Sequence, residues 1–199
     1  MKPHRHIEAL QLAHACVELG ARLRTIECVS GIGQLELRRI FFSNGATPPC
    51  GRQPASEDWL FERAKVPGNV EAAMFAVIFH ELTESGVGVG PALIGAYRLY
   101  QARCRETPRV SFDRAFDIVC CLRGIWSSRE VRLALTQCET CASRHLVPFA
   151  GCGTRQPDCP FCELLARYHK DRRLRTAFQT STRRVDSTRP PQAAPRAYA

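Results

Sequence analysis

Apolar residues recur at helical spacing through most of the first 126 positions. Leu12, Cys16, Leu19, Leu23 and Ile26 alternate at steps of four and three, a single stripe that predicts one amphipathic helix over Ile7 to Ile26. Ser30-Gly31 breaks the pattern. A second helical run, Gln34 to Ser43, is expected to bury Leu35, Leu37 and Ile40 and to stop at Asn44-Gly45, a pair suited to a left-handed cap. Pro48, Pro49 and Pro54 with Gly51 exclude regular helix from Ala46 to Asp58 and predict a long loop. Asn69 is placed to cap a third helix with Val70, Ala73, Met74, Val77, Ile78 and Leu82 inward. That helix is apolar nearly all round from Ala72 to Phe79, the mark of a core element. Gly86, Gly88 and Gly90 interrupt the chain, and Pro91 suits the first turn of a fourth helix running through Leu93, Ala96, Tyr97 and Tyr100. Ser111 caps a fifth, with Phe112, Phe116, Val119 and Leu122 facing inward.

The period changes at residue 129. Val131, Leu133 and Leu135 alternate with Arg132, Ala134 and Thr136, which predicts a strand, with Arg144 to Phe149 as its hairpin partner. Beyond Cys162 the apolar periodicity is lost, and Arg189 to Ala199, with three prolines and no core-forming run, reads as disordered. The expected fold class is mainly α. A helical domain over 1–128 contains a helix-turn-helix-like segment, a small four-cysteine module with a short β-hairpin covers 129–166, and a basic, partly disordered tail covers 167–199.

Composition narrows the possible functions. The 199 residues are 45% hydrophobic and 24% charged, which excludes wholesale disorder. No stretch approaches the roughly 20 apolar residues of a membrane helix, and the N-terminus lacks the apolar core of a secretory signal, so the chain reads as cytosolic. Lys and Arg number 28 against 19 Asp and Glu, a net +9 that favours a polyanionic partner. Arg167 to Ala199 hold nine of those basic residues and two of the acidic ones.

The 11 cysteines demand a chemical reading, because a reducing compartment does not pair them wholesale. Cys138-Glu-Thr-Cys141 and, 17 residues later, Cys159-Pro-Phe-Cys162 have the spacing of a four-cysteine structural zinc site, one ion per chain. Each tight turn aims two thiolates at one ion, and two turns complete a tetrahedron with no open position for catalytic water. Cys152 and His145 lie between the pairs as possible substitutes, but neither belongs to a two-residue knuckle. A redox use of the pairs lacks the βαβ pattern that normally accompanies it. Cys16, Cys120 and Cys121 read as small core residues, and Cys28, Cys50 and Cys104 as thiols near loops.

Two stretches could meet nucleic acid. Leu23 to Ile40 fits a helix-turn-helix whose second helix offers Gln34, Arg38 and Arg39, side chains that reach phosphates and purine edges in a major groove. In the tail, Lys170, Arg172, Arg173, Arg175, Arg183 and Arg184 would add phosphate affinity without sequence reading. A solvated, solubilising face is the plainer use of both, and RNA or an anionic membrane would attract the tail equally. Enzyme signatures are missing: Gly86-Val-Gly-Val-Gly90 lacks the phosphate-loop fingerprint, there is no Gly-x-Ser-x-Gly elbow, and His80-Glu81 is followed by no second histidine at protease spacing.

With these landmarks the sequence resembles the FlhC family, the C subunit of the bacterial flagellar master activator. The likeness rests on Glu18-Leu-Gly-Ala-Arg-Leu-Arg24, the Pro48-Pro49…Gly51 loop leading to Asp58-Trp59, Ala72-Ala-Met-Phe75, Ala96-Tyr-Arg-Leu-Tyr100 and the two cysteine knuckles. Their joint order is specific where any one alone is not. The resemblance implies a mostly helical subunit whose zinc ligands are Cys138, Cys141, Cys159 and Cys162. It implies action with FlhD in a heterohexamer of four FlhD and two FlhC chains, which binds double-stranded promoter DNA and switches on flagellar operons. RNA polymerase is then a further expected partner, and a membrane is not. The competing readings are a zinc-stabilised interaction adaptor that reads no DNA and a thiol redox sensor using Cys120-Cys121 or Cys152.

Overall fold

Helix α1 (Pro3–Glu18) ends where Gly20 takes a left-handed φ of 72°, and α2 (Leu23–Ser30) starts afresh. The single helix expected over Ile7 to Ile26 is therefore two. At the break Gly20 N–H donates to the Val17 carbonyl and Ala21 N–H to that of Cys16, an end that glycine adopts without strain. The apolar stripe misleads because it continues in register across the bend: Cys16, Leu23 and Ile26 are all buried. The computed structural model describes residues 3–43, 45–51, 56–104, 108–149, 158–172 and 174–175. The expected disorder of 189–199, together with Cys152, Arg173, Arg183, Arg184 and Asn44, lies outside them.

Gly31, left-handed at φ 72°, closes α2 by donating its N–H to the Glu27 carbonyl at 2.8 Å, and α3 (Gln34–Phe41) follows after a short turn. Here one burial expectation fails. Leu37 is fully buried, but Leu35 is 86% exposed and Ile40 42% exposed. Residues two apart stand about 200° apart on a helix, so Leu35 and Leu37 cannot share a face. The helix also stops at Phe41, short of Ser43.

Two single-turn 3-10 helices, Asp58–Leu60 and Arg63–Lys65, lead into α4 (Val66–Glu84). Asn69, expected as the cap, instead sits inside the first turn behind Pro67, with its Nδ2 donating to the Glu62 carbonyl at 3.2 Å. Helix α4 is buried on most sides, as its composition predicts, and packs against α5 (Val89–Arg103) and α6 (Phe112–Arg123). Ser111 Oγ accepts the Arg114 N–H at the start of α6, as expected of an N-cap. Gly124, left-handed at φ 63°, ends the helix against Val131, whose backbone nitrogen would lie 3.2 Å from any added Cβ.

Phe75, Phe79, Tyr97, Tyr100, Phe112 and Phe116 form the aromatic centre of the core. Two buried carboxylates brace it. Glu71 accepts from Tyr100 Oη at 2.5 Å, from Arg109 N–H at 2.8 Å and from the Arg109 guanidinium. Asp113 accepts from Thr25 Oγ1 at 2.6 Å and Arg22 N–H at 3.2 Å, tying α2 to α6. Buried carboxylates are tolerable only when satisfied in this way.

The strand period at residue 129 becomes an antiparallel hairpin of β1 (Leu133–Gln137) and β2 (Arg144–Pro148), with Leu133 opposite Pro148 and Gln137 opposite Arg144. Leu133 and Leu146 belong to the same buried cluster as the helices. A seventh helix, α7 (Pro160–Tyr168), was not foreseen, and both it and β2 lie against α4. No helix among the described residues is long and apolar enough to cross a membrane.

Candidate metal centre and basic surface

Cys138 and Cys141 sit in the turn that joins β1 to β2. Cys138 N–H donates to the Ser143 carbonyl at 3.0 Å and Ala142 N–H to the Cys138 carbonyl at 2.9 Å, so the knuckle is a closed loop. Ala142 pays for that closure with a left-handed φ of 58°. Cys159 and Cys162 come from the first turn of α7, where Cys159 stands at the cap position and Pro160 at the first helical position. The helix is not apparent in the sequence because its nine residues make too few turns for the apolar positions to show a repeating period. Proline after the cap and the Glu163–Arg167 pair four residues apart were the available signals.

The four sulfurs lie within 4.8 Å of one another. Cys138 Sγ is 3.8 Å from Cys162 Sγ, and Cys141 Sγ is 3.7 Å from Cys159 Sγ. A regular tetrahedron with zinc–sulfur bonds of about 2.3 Å has an edge of about 3.8 Å, whereas a disulfide needs about 2.05 Å. The cluster thus has the dimensions of a tetrahedral thiolate site and not of two disulfides. Each pairing links the hairpin turn to α7.

Backbone N–H groups of Cys141 and Thr140 hold the Cys138 thiol below the ordinary thiol range, and the N–H and hydroxyl of Ser143 do the same for Cys141. Burial raises Cys159, and the neighbouring Cys141 thiol raises Cys162. Four thiolates this close repel one another and need a cation to coexist. His145, the possible substitute, is buried on β2 and stands outside the group of four.

The basic residues stand on different supports. Arg38 and Arg39 are exposed on α3, which lies against α1 and α2. Gln34 is exposed too but donates to Glu27 Oε2 at 2.6 Å. Lys170, Arg172 and Arg175 are exposed just past α7. Leu35, Arg38 and Arg39 occupy steps of three and four and so share the outward face of α3. For a redox use of Cys120-Cys121 the geometry is unfavourable, both thiols being buried. Cys121 is 3% exposed, donates to Glu57 Oε1 at 3.0 Å, and is pushed up to about 12 by burial and by that carboxylate. Such a thiol is a poor nucleophile.

A small, mainly helical chain with a four-cysteine cluster able to hold a metal ion is the class that the fold and the site define. Comparison with known proteins specifies it further. Residues 4–175 match the model of the family described as flagellar transcriptional activator (FlhC). The flagellar transcriptional regulator FlhC of Proteus mirabilis is 28% identical over 176 residues, covering 85% of this chain and 86% of its own. That of Serratia marcescens is 30% identical over 175 residues, 83% of each chain, and that of Cupriavidus necator is 29% identical over 172 residues, 84% of this chain and 80% of its own. The chain belongs to the FlhC family.

Proposed function

We propose that the chain is the DNA-binding subunit of a transcriptional activator, acting on flagellar promoters in complex with an FlhD-type partner, four of those subunits to two of this chain. The observation that carries the reading is the four-sulfur cluster of tetrahedral dimensions in a chain that matches the family along most of its length. Cys138, Cys141, Cys159 and Cys162 would hold one zinc ion, which supplies a structural crosslink when bound and leaves no position for a reacting water. The chain's own part is to aim the sulfurs: the hairpin turn presents two, the first turn of α7 presents two, and α4 supports both elements.

DNA contact is assigned to two surfaces. Arg38 and Arg39 flank Leu35 on the exposed face of α3, a combination able to meet guanine edges, phosphates and a thymine methyl group. Lys170, Arg172, Arg173 and Arg175 would add phosphate contacts beside the metal module.

Co-purification with an FlhD-type subunit tests the proposal, with zinc content, complex mass and promoter affinity measured on the same material. One zinc per chain, a four-to-two mass and salt-dependent promoter binding are expected. An intact, zinc-loaded complex with no affinity for promoter DNA would instead establish the adaptor reading. Metal-free, well-folded chain would overturn the assignment of the centre.

A further inference from the structure

Glu27 on α2 and Gln34 on α3 meet across the turn between the two helices, where Gln34 Nε2 donates to Glu27 Oε2 at 2.6 Å. Both supports are fixed from below. Thr25 Oγ1 and Arg22 N–H bond the Asp113 carboxylate, which holds α2 on α6. In the turn Ile32 is buried and its N–H donates to Ser30 Oγ at 3.2 Å, while Leu37 of α3 is buried too. Glu27 is half-buried and Gln34 is exposed. Gln34 is also the first residue of α3, and in a helix-turn-helix the N-terminal residues of the second helix are the ones that meet base edges in the major groove.

The chemistry of the pair decides which way round the amide sits. An ionised carboxylate only accepts hydrogen bonds, so the end of the Gln34 amide beside Glu27 has to be its NH2 group. A bond to an ionised acceptor is also about twice as strong as one between neutral groups. Gln34 is left with its carbonyl oxygen and one N–H to offer, an acceptor beside a donor. Adenine presents the complement, its N6 amino group as donor and N7 as acceptor, whereas guanine presents two acceptors, O6 and N7. A glutamine free to turn could give its NH2 group to guanine. One held by Glu27 has to break that bond to do so.

We infer that Glu27 is a positioning residue for Gln34, and that the pair selects adenine over guanine at one position of the bound DNA. The inference rests on the DNA-binding role proposed above and deepens it: the arginines of α3 supply attraction, and the Glu27–Gln34 pair supplies a base choice. Glu27 needs no contact with DNA for this. Its part is to fix the orientation of an amide whose two ends would otherwise be interchangeable.

The test measures binding of the complex with its FlhD-type partner to a flagellar promoter in which each base pair in turn is replaced by the other three. Wild type should show a position at which adenine is preferred to guanine by about tenfold or more, and Gln34→Ala should remove the preference there and leave the other positions unchanged. Glu27→Gln is the decisive variant. It keeps nearly the same shape, but its amide donates as well as accepts, so Gln34 can sit either way round. The adenine preference should then fall to within about threefold, with the rest of the site read as in wild type. Glu27→Ala, which removes the partner outright, should do the same. A merely structural role for Glu27 would move every position together. An adenine preference that survives both Glu27 variants, or a Gln34→Ala that alters no base preference, would overturn the inference and leave the DNA-binding role standing. Wild-type complex without affinity for the promoter would overturn that role, and the inference with it.

Discussion

Ala142 holds a left-handed φ of 58° in the turn that carries Cys138 and Cys141. An L-residue with a side chain is strained there by about 1 kcal/mol relative to glycine. Ala142→Gly is therefore expected to stabilise the chain by about 1 kcal/mol in urea unfolding, and Ala142→Val to destabilise it. Asp117 offers a pH prediction. Burial, and after it the charge of Asp113, lifts its carboxyl from 3.8 to about 6, with Glu57 adding and Arg22 and Arg132 opposing. The folded state then binds the proton more tightly than the unfolded chain, so Asp117 favours folding at low pH. That contribution is lost as pH rises from about 4 through about 6. Asp117→Asn should flatten this fall and raise stability at pH 7 by at most about 3 kcal/mol, read from unfolding curves at pH 4 and pH 7. None of this was legible beforehand, because a positive φ at alanine and a shifted carboxyl are set by surroundings and not by local sequence.

At the scale of the element, α3 separates two leucines that the sequence reading had put together. Leu37→Ala should cost about 2 to 5 kcal/mol, as for a fully buried side chain, whereas Leu35→Ala should change stability by less than about 0.5 kcal/mol. Thermal unfolding of the two variants distinguishes them. If Leu35 meets DNA as proposed, its alanine variant loses promoter affinity at unchanged stability. The helices that were read correctly have strong local punctuation: Ser111 before α6, the glycines and Pro91 around α5, and the apolar girth of α4. Where punctuation is weak the reading failed. Gly20 is followed by an uninterrupted stripe, and the nine residues of α7 are too short a run to show a period.

For the whole molecule, the hairpin and α7 both rest on α4, and Leu133 and Leu146 extend the helical core. Cys138→Ser or Cys159→Ser should abolish stoichiometric zinc and expose the amides of β1, β2 and α7 to hydrogen exchange, while α5 and α6 retain their protection. Promoter binding should respond to charge in two ways. Removing Arg38 and Arg39 together is expected to lower the salt slope by about two and to weaken discrimination between promoters. Lys170→Ala with Arg172→Ala should weaken all DNA similarly, as a filter-binding titration over salt would record. The cysteine cluster was the most legible part of the candidate site, because two-residue spacing is itself the geometry of a knuckle. The stacking of Arg114 on Trp59 was invisible, since the two come from distant parts of the chain and meet only after folding.

Helix α7 sinks none of its side chains wholly beneath the surface. Its sides rest half-buried against α4, and the two cysteines at its start face the hairpin turn. Exchanges at its outward positions, Leu165 and Ala166, therefore carry little thermodynamic penalty, and that face is open to lineage-specific tailoring. A variant carrying a distant relative's residues at those two positions alone should keep cooperative melting.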